Sequence, residues 1–199
     1  MHLLIQNGLV IDPASNECKV RDLFIVGDRI QPQPPQLPEG TQIIDANGYW
    51  VTPGFIDSHS HSDNALFSSP SVVEKLEQGI TTAISGQCGS SAAPARIAAE
   101  QDTYKEGVGQ KSQIYSSAGA FMDAMSKVPL GANHMCLIGA GNLRRLVMGM
   151  EQRNPTPEEM DQMKAMLRDG MEHGALGVSF GLIYPPCNYF TEAEMTELA

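Results

Sequence analysis

Paired cysteines, long apolar runs and clustered basic charge are all missing from this sequence, and each absence narrows what the chain can be. Its four cysteines, at positions 18, 88, 136 and 187, form no C-x-x-C pair, so neither a zinc ribbon nor a disulfide scaffold is indicated. No stretch approaches the roughly 18 apolar residues of a membrane span. The opening Met1-His2-Leu3-Leu4-Ile5-Gln6-Asn7-Gly8 also lacks the charged start and apolar core of a secretory signal, so a cytoplasmic location with no membrane partner is expected. Lys and Arg number 13 against 23 Asp and Glu, a net charge of -10, and the longest basic run is Arg144-Arg145. That balance disfavours nucleic acid as a partner. What remains is a 199-residue chain, 42% hydrophobic, with room for a sizeable core and a small-molecule substrate.

The first fifty residues alternate strand-like runs with turns, at 3–11, 23–30, 42–45 and 49–51, and suggest a small β layer. Asn7-Gly8 and Asn47-Gly48 are hairpin-type dipeptides, and the proline-rich stretch 31–38 reads as a loop. From Pro53 the pattern changes to short apolar runs separated by helical stretches, the sign of βα units and a parallel sheet. The strand candidates there are 54–57, 81–85, 135–138 and 175–179. The clearest helix is 157–173. Thr156 caps it, Pro157 takes the first helical position, Glu159 completes a capping box and Gly174 ends it. Its methionines 160, 163, 166 and 171, with Leu167, form a stripe that reads as core packing rather than a soft-metal box. A second capping box opens at Thr191-Glu192-Ala193-Glu194.

The strongest chemical signal is Gly54-Phe55-Ile56-Asp57-Ser58-His59-Ser60-His61, an apolar strand that ends in two histidines two positions apart. Residues i and i+2 of a strand point the same way, so both imidazoles can reach one metal ion from the strand's C-terminal end. Solvent-exposed or capping histidines produce the same pair, and H-x-H alone is a weak motif. Glycines 139 and 141 invite a dinucleotide reading, but the third glycine and the downstream acid of that fingerprint are missing.

The run 51–61, Val-Thr-Pro-Gly-Phe-Ile-Asp-Ser-His-Ser-His, resembles the first barrel strand of the amidohydrolase superfamily. Residues 6–12 and 44–48 resemble that superfamily's opening β domain. The resemblance implies an α/β fold: a metal-dependent hydrolase (β/α)8 TIM barrel, of which about four βα units are present at 53–199, with a small β-sandwich at 1–52 completed by further sequence. His59 and His61 match the family's H-x-H metal ligands, and Asp57 and Asp63 are then supporting groups, the alternative being solvated turn residues.

Residues 78–89, ending Gly86-Gln87-Cys88-Gly89, resemble the D-aminoacylase (N-acyl-D-amino-acid deacylase) branch, in which a cysteine after strand 2 is a metal ligand. This assigns Cys88 to the metal, while Cys18, Cys136 and Cys187 lack such a setting. Residues 174–186 resemble that branch's strand 4 and following loop and set Tyr184 on the substrate carboxylate, although a tyrosine before two prolines can equally pack against its loop. Residues 137–145 resemble strand 3 and its loop, with Arg144 a possible substrate contact. His134 and His173 fit no ligand position and read as helix-end or loop residues.

The resemblance further implies hydrolysis of an N-acyl-D-amino acid by a metal-bound hydroxide. Imidazole plus thiolate favours zinc, with one or two ions per complete site. The family's later histidines and its proton-moving aspartate lie beyond Ala199, so no catalytic acid or base is expected here and the 199 residues alone are expected to be silent and open to self-association. A dihydroorotase-like or hydantoinase-like cyclic amidohydrolase is the alternative, disfavoured by Cys88 and by the absence of a lysine in 175–179. A non-catalytic amidohydrolase-like scaffold is the other.

Overall fold

The computed structural model describes residues 1–96 and 114–199. The chain forms two compact units, Met1–Gly54 and Phe55–Ala199.

The first unit is a five-stranded sheet built around β1 (His2–Asp12). β2 (Glu17–Val26) pairs antiparallel with β1, and β3 (Arg29–Gln31) pairs antiparallel with β2. β4 (Gln42–Asp45) and β5 (Trp50–Val51) each run parallel to β1. Leu4, Val10, Phe24 and Ala46 are buried, while Val20, Ile30, Ile43 and Trp50 are exposed.

Two expectations need correction here. Residues 23–30 are not one strand, because the chain reverses between β2 and β3 at Gly27, whose φ is 63°. Asn7-Gly8 is not a hairpin turn but a bulge inside β1, where the register with β2 shifts. The left-handed φ of 61° that suits asparagine to a turn serves the bulge equally well. Asn7 is fixed there by its backbone N–H to Asp22 and its amide to Asp45, both at 3.0 Å. Asn47-Gly48 does form a turn, closed by Tyr49 N–H to Ala46 O, but the strands it joins pair with β1 rather than with each other.

In the second unit β6 (Phe55–Asp57), β7 (Ile80–Ser85) and β8 (Asn133–Cys136) form a parallel sheet, and β9 (Ile138–Gly139) pairs in parallel with β10 (Val178–Ser179). Leu137 joins the two sheets. Its N–H bonds back to Ser85 O on β7, while the next residue, Ile138, bonds forward to Gly177 O. Short helix α1 (Val73–Leu76) precedes β7, and α2 (Ala118–Met125) precedes β8.

Helix α3 (Ala140–Met148) starts directly after β9, where a loop was expected. Helix α4 (Pro157–Glu172) has both bonds of its capping box, Glu159 N–H to Thr156 Oγ1 at 3.2 Å and Thr156 N–H to the Glu159 carboxylate at 2.8 Å. Such a cap contributes about 1 kcal/mol. Met160, Met163 and Leu167 sit in the core with Leu143, Ile138 and Phe190. Met171 does not, being 44% exposed. The inward position is Gly170, where a Cβ would meet Ile138 at 2.9 Å. Helix α5 (Glu192–Leu198) has the second capping box, at Thr191. Among the described residues no helix is long and apolar enough to cross a membrane.

Candidate metal centre

Two parallel strands, β6 and β7, lead at their C-terminal ends to His59, His61 and Cys88. One donor atom from each lies within 4.8 Å of the other two. The histidines follow β6 rather than lying in it, since the regular strand stops at Asp57. Pairing with β7 nevertheless continues through Ser60 N–H to Ile84 O at 3.0 Å, so the backbone stays extended enough to put the two rings on one side. Their centroids are 5.7 Å apart. Beyond His61 the chain turns into a short 3-10 segment at Ser62–Ala65.

Cys88 arrives from the turn after β7, its Sγ 3.2 Å from His59 Nε2. Its φ is 55°, a left-handed conformation that costs a side chain-bearing residue about 1–3 kcal/mol unless the surroundings hold it. The surroundings do hold it. A Cβ on Gly86 would fall 1.9 Å from Leu137 O, one on Gly181 would fall 1.9 Å from Cys88 O, and those on Gly139 and Gly141 would strike Gly89. Gly141 N–H donates to Gly89 O at 2.9 Å. The buried Ser179 hydroxyl donates to Gly86 O at 2.5 Å and accepts from Gly89 N–H at 3.1 Å. Gln87 reaches across to Ser58 O at 2.8 Å and ties this turn to the histidine segment.

Asp57 and Asp63 occupy different settings. Asp57 accepts from His59 N–H at 3.2 Å and from Lys75 Nζ at 2.6 Å. The Lys75 bond, more than that backbone bond, holds its carboxyl below the ordinary range against a partial desolvation that acts the other way. Lys75 also reaches Ser60 Oγ at 3.2 Å. Asp63 is buried and accepts from Ala92 N–H at 2.6 Å, fastening the segment after the cysteine turn to the 3-10 segment after the histidines.

Tyr184 lies in the loop after β10 and is 58% exposed. That loop seats on the cysteine turn, because Gly181 packs against Cys88 O and Cys187 packs against Gly89, while Gly181 N–H donates to Cys187 Sγ within the loop at 3.3 Å. Arg144 is corrected by the structure. It has no exposed surface, donates to Arg153 O at 2.5 Å and lies 4.9 Å from the Phe190 ring centroid. The guanidinium is thus enclosed among the described residues rather than set on an open face where a substrate contact was expected.

His134 is also corrected. It stands in β8, and its Nε2 is 2.7 Å from the fully buried Ser85 Oγ. Burial, with the nearby Lys75 charge, pushes its pKa down to about 4, which keeps it neutral. His173, at the C-cap of α4, is the helix-end residue expected. Cys18 is exposed, while Cys136 and Cys187 are buried thiols. Burial raises the Cys136 pKa to about 12 and lifts that of Cys187 as well.

Two imidazoles and a thiol at this spacing match the tetrahedral, nitrogen-and-sulfur preference of zinc, whose ligands lie about 2.0–2.3 Å from the ion. The parts that sequence reasoning missed are Ser179, Lys75 and the glycines that receive the cysteine turn. The only signal in the sequence was the density of glycine after three of the strands.

Comparison with known proteins gives consistent matches. A model described as the amidohydrolase family matches residues 42–195. D-aminoacylase from Alcaligenes xylosoxydans xylosoxydans is 34% identical over 200 residues, covering 98% of this chain and 41% of the relative. N-acyl-D-glutamate deacylase from the same organism is 32% identical, covering 100% of this chain and 41% of the relative. The crystal structure of N-acyl-D-glutamate deacylase from Bordetella bronchiseptica, complexed with zinc and a phosphonate mimic of the reaction's tetrahedral intermediate, is similar with a TM-score of 0.86. Identity there is 33%, over 99% of this chain and 42% of that one. This chain thus spans about two fifths of the length of the relatives it matches.

Proposed function

Since the chain belongs to the amidohydrolase family, we propose that the whole protein hydrolyses an N-acyl-D-amino acid to a carboxylate and a free D-amino acid, with zinc held in part by His59, His61 and Cys88. The observation that carries this reading is the convergence of those three donors within 4.8 Å. Relatives named for D-aminoacyl and N-acyl-D-glutamate substrates support the substrate class.

Bound there, zinc supplies Lewis-acid polarisation of the amide carbonyl and activation of water. The chain's own residues bind and orient. Asp57 fixes the backbone of His59, and Asp63 fastens the segment after the cysteine turn. The exposed Tyr184 donates its phenol to the substrate carboxylate from the loop seated on Cys88, adding no charge to the site. The remaining histidines and the proton-moving aspartate are assigned to sequence outside these residues, so the 199-residue polypeptide alone is expected to be catalytically silent.

The four parallel strand positions are read as the first half of an eight-stranded barrel, and the 1–54 sheet as part of a β-sandwich. Phe55 and Ile56 on β6, and Val20, Ile43 and Trp50 in the first unit's sheet, are apolar side chains left open, as surfaces awaiting further strands would be. A cyclic amidohydrolase is the second reading. Dihydroorotase from Solibacter usitatus is 42% identical, but over only 87 residues.

The test is to assay the full-length gene product against N-acyl-D-amino acids, their L-enantiomers, hydantoins and dihydroorotate, before and after chelation and zinc addition. Zinc-restored hydrolysis confined to the D-acyl substrates is expected. Turnover of the cyclic amides alone would replace this reading with the second.

A further inference from the structure

We propose that Ser179 is a positioning residue for Cys88, holding the turn after β7 in the conformation from which the thiol faces the two histidines. The proposal rests on the reading of Cys88 as a metal ligand. No part of the sequence resemblance assigns Ser179 a role.

The argument starts from the conformation of Cys88. A left-handed φ of 55° at a residue with a side chain does not persist without restraint. A relaxed φ would swing Cβ, and with it Sγ, away from its place 3.2 Å from His59 Nε2. The glycines around the turn allow it to fit, but glycines exert no pull. The pull comes from hydrogen bonds on both sides of Cys88. Ser179 Oγ binds Gly86 O two residues before the cysteine and receives Gly89 N–H one residue after it.

A single hydroxyl can do this because it both donates and accepts. The hydroxyl is well placed to hold firm, since Ser179 is only 7% exposed and pairs with Gly139 in the β9–β10 ladder. The turn's other ties include Gly141 N–H to Gly89 O, Ser90 N–H to Gln87 O and the Gln87 amide to Ser58 O, and none of these reaches Gly86. Replacing Ser179 by alanine leaves a buried carbonyl and a buried N–H without this partner, and the turn recovers them only by changing shape.

Groups that orient a ligand from behind alter metal affinity by about 10–100-fold when removed. The experiment uses the full-length protein loaded with cobalt(II) alone and reads both the dissociation constant and the sulfur-to-cobalt charge-transfer band. Wild type, Cys88→Ala, Ser179→Ala and Ser179→Thr are compared. A band present in wild type and lost in Cys88→Ala establishes the ligand. Its absence from wild type overturns the ligand reading and this proposal together.

With the ligand established, Ser179→Ala is expected to bind cobalt about 10–100-fold more weakly with a diminished band, and Ser179→Thr to recover most of both. Wild-type affinity and band in a folded Ser179→Ala overturn the positioning role while leaving Cys88 a ligand. Should Ser179→Ala not fold, Ser179→Thr is compared with Ser179→Val, which has the same bulk without the hydroxyl. Tighter binding by the threonine variant supports the proposal, and any other order overturns it.

Discussion

The cysteine side and the histidine side of the site are held in different ways. Cys88 sits in a strained turn gripped by distant segments: Leu137 against Gly86, Gly139 and Gly141 against Gly89, Gly181 against its own carbonyl, and Ser179 across the turn. His59 and His61 are exposed and follow a strand that has already ended. The ties of their segment include the Asp57 carboxylate on His59 N–H, one bond to β7, Lys75 on Ser60 Oγ and the Gln87 amide on Ser58 O. The thiol is therefore fixed by segments distant in sequence, whereas the histidines are held mainly by bonds from neighbouring residues and from β7.

The comparison breaks most visibly at Gly86. A Cβ there meets Leu137 O at 1.9 Å from a residue with φ of +75°, so Gly86→Ala is expected to cost on the order of 4 kcal/mol or to prevent folding. The denaturation midpoint of the full-length protein measures this. Ser58→Ala, on the histidine side, leaves a backbone carbonyl acceptor in place and should move the midpoint little.

Acid is expected to loosen the strands that lead into the cysteine turn. The folded pKa of His134 is about 4, against an ordinary 6.5, so the unfolded chain takes up the proton first as pH falls. The associated stability is complete above pH 6.5 and is lost as pH falls from 6.5 towards 4, a change of up to about 3 kcal/mol. Urea denaturation across that window reads it, and His134→Gln should flatten the dependence.

Tyr184→Phe probes the loop carried by the cysteine turn. It should raise KM for N-acyl-D-amino acids and lower kcat/KM by about 10-fold, the worth of one hydrogen bond to a charged group, with zinc content unchanged. Equal kinetics for the two proteins would remove Tyr184 from the site.

The smallest effect is expected on the histidine side. Lys75→Met removes the pair with Asp57, whose side chains are 16% and 26% exposed, and should cost about 1 kcal/mol in stability with less than a 10-fold change in zinc affinity. The backbone bond from His59 remains available to Asp57 in that variant.

What could be read beforehand follows the same division. The histidine pair is legible because its geometry is local, the extended backbone that runs on from β6 bringing His59 and His61 together. Cys88 was recognised from the resemblance of its flanking glycines, and the convergence of the three side chains came with it. The support of the cysteine turn was not legible. Ser179 is 91 residues from Cys88 in sequence and meets its turn only when β7 bonds at Leu137 and β10 pairs with the adjoining β9, a relation that no periodicity encodes.

The same reasoning accounts for the errors. The resemblance of residues 137–145 to a strand and its loop makes Arg144 a possible substrate contact, whereas α3 starts directly after β9 and Arg144 is buried in it. Asn7-Gly8 was misread because one backbone conformation serves both a hairpin turn and a bulge.

The central claim is that one metal ion is shared by the Cys88 thiol and the two histidines. X-ray absorption at the zinc edge of the full-length protein tests it most directly. A sulfur scatterer at about 2.3 Å beside nitrogen or oxygen scatterers at about 2.0–2.1 Å is predicted, with the sulfur contribution absent in Cys88→Ser. A shell of nitrogen and oxygen alone in the wild type, or a sulfur contribution that survives Cys88→Ser, would contradict the account.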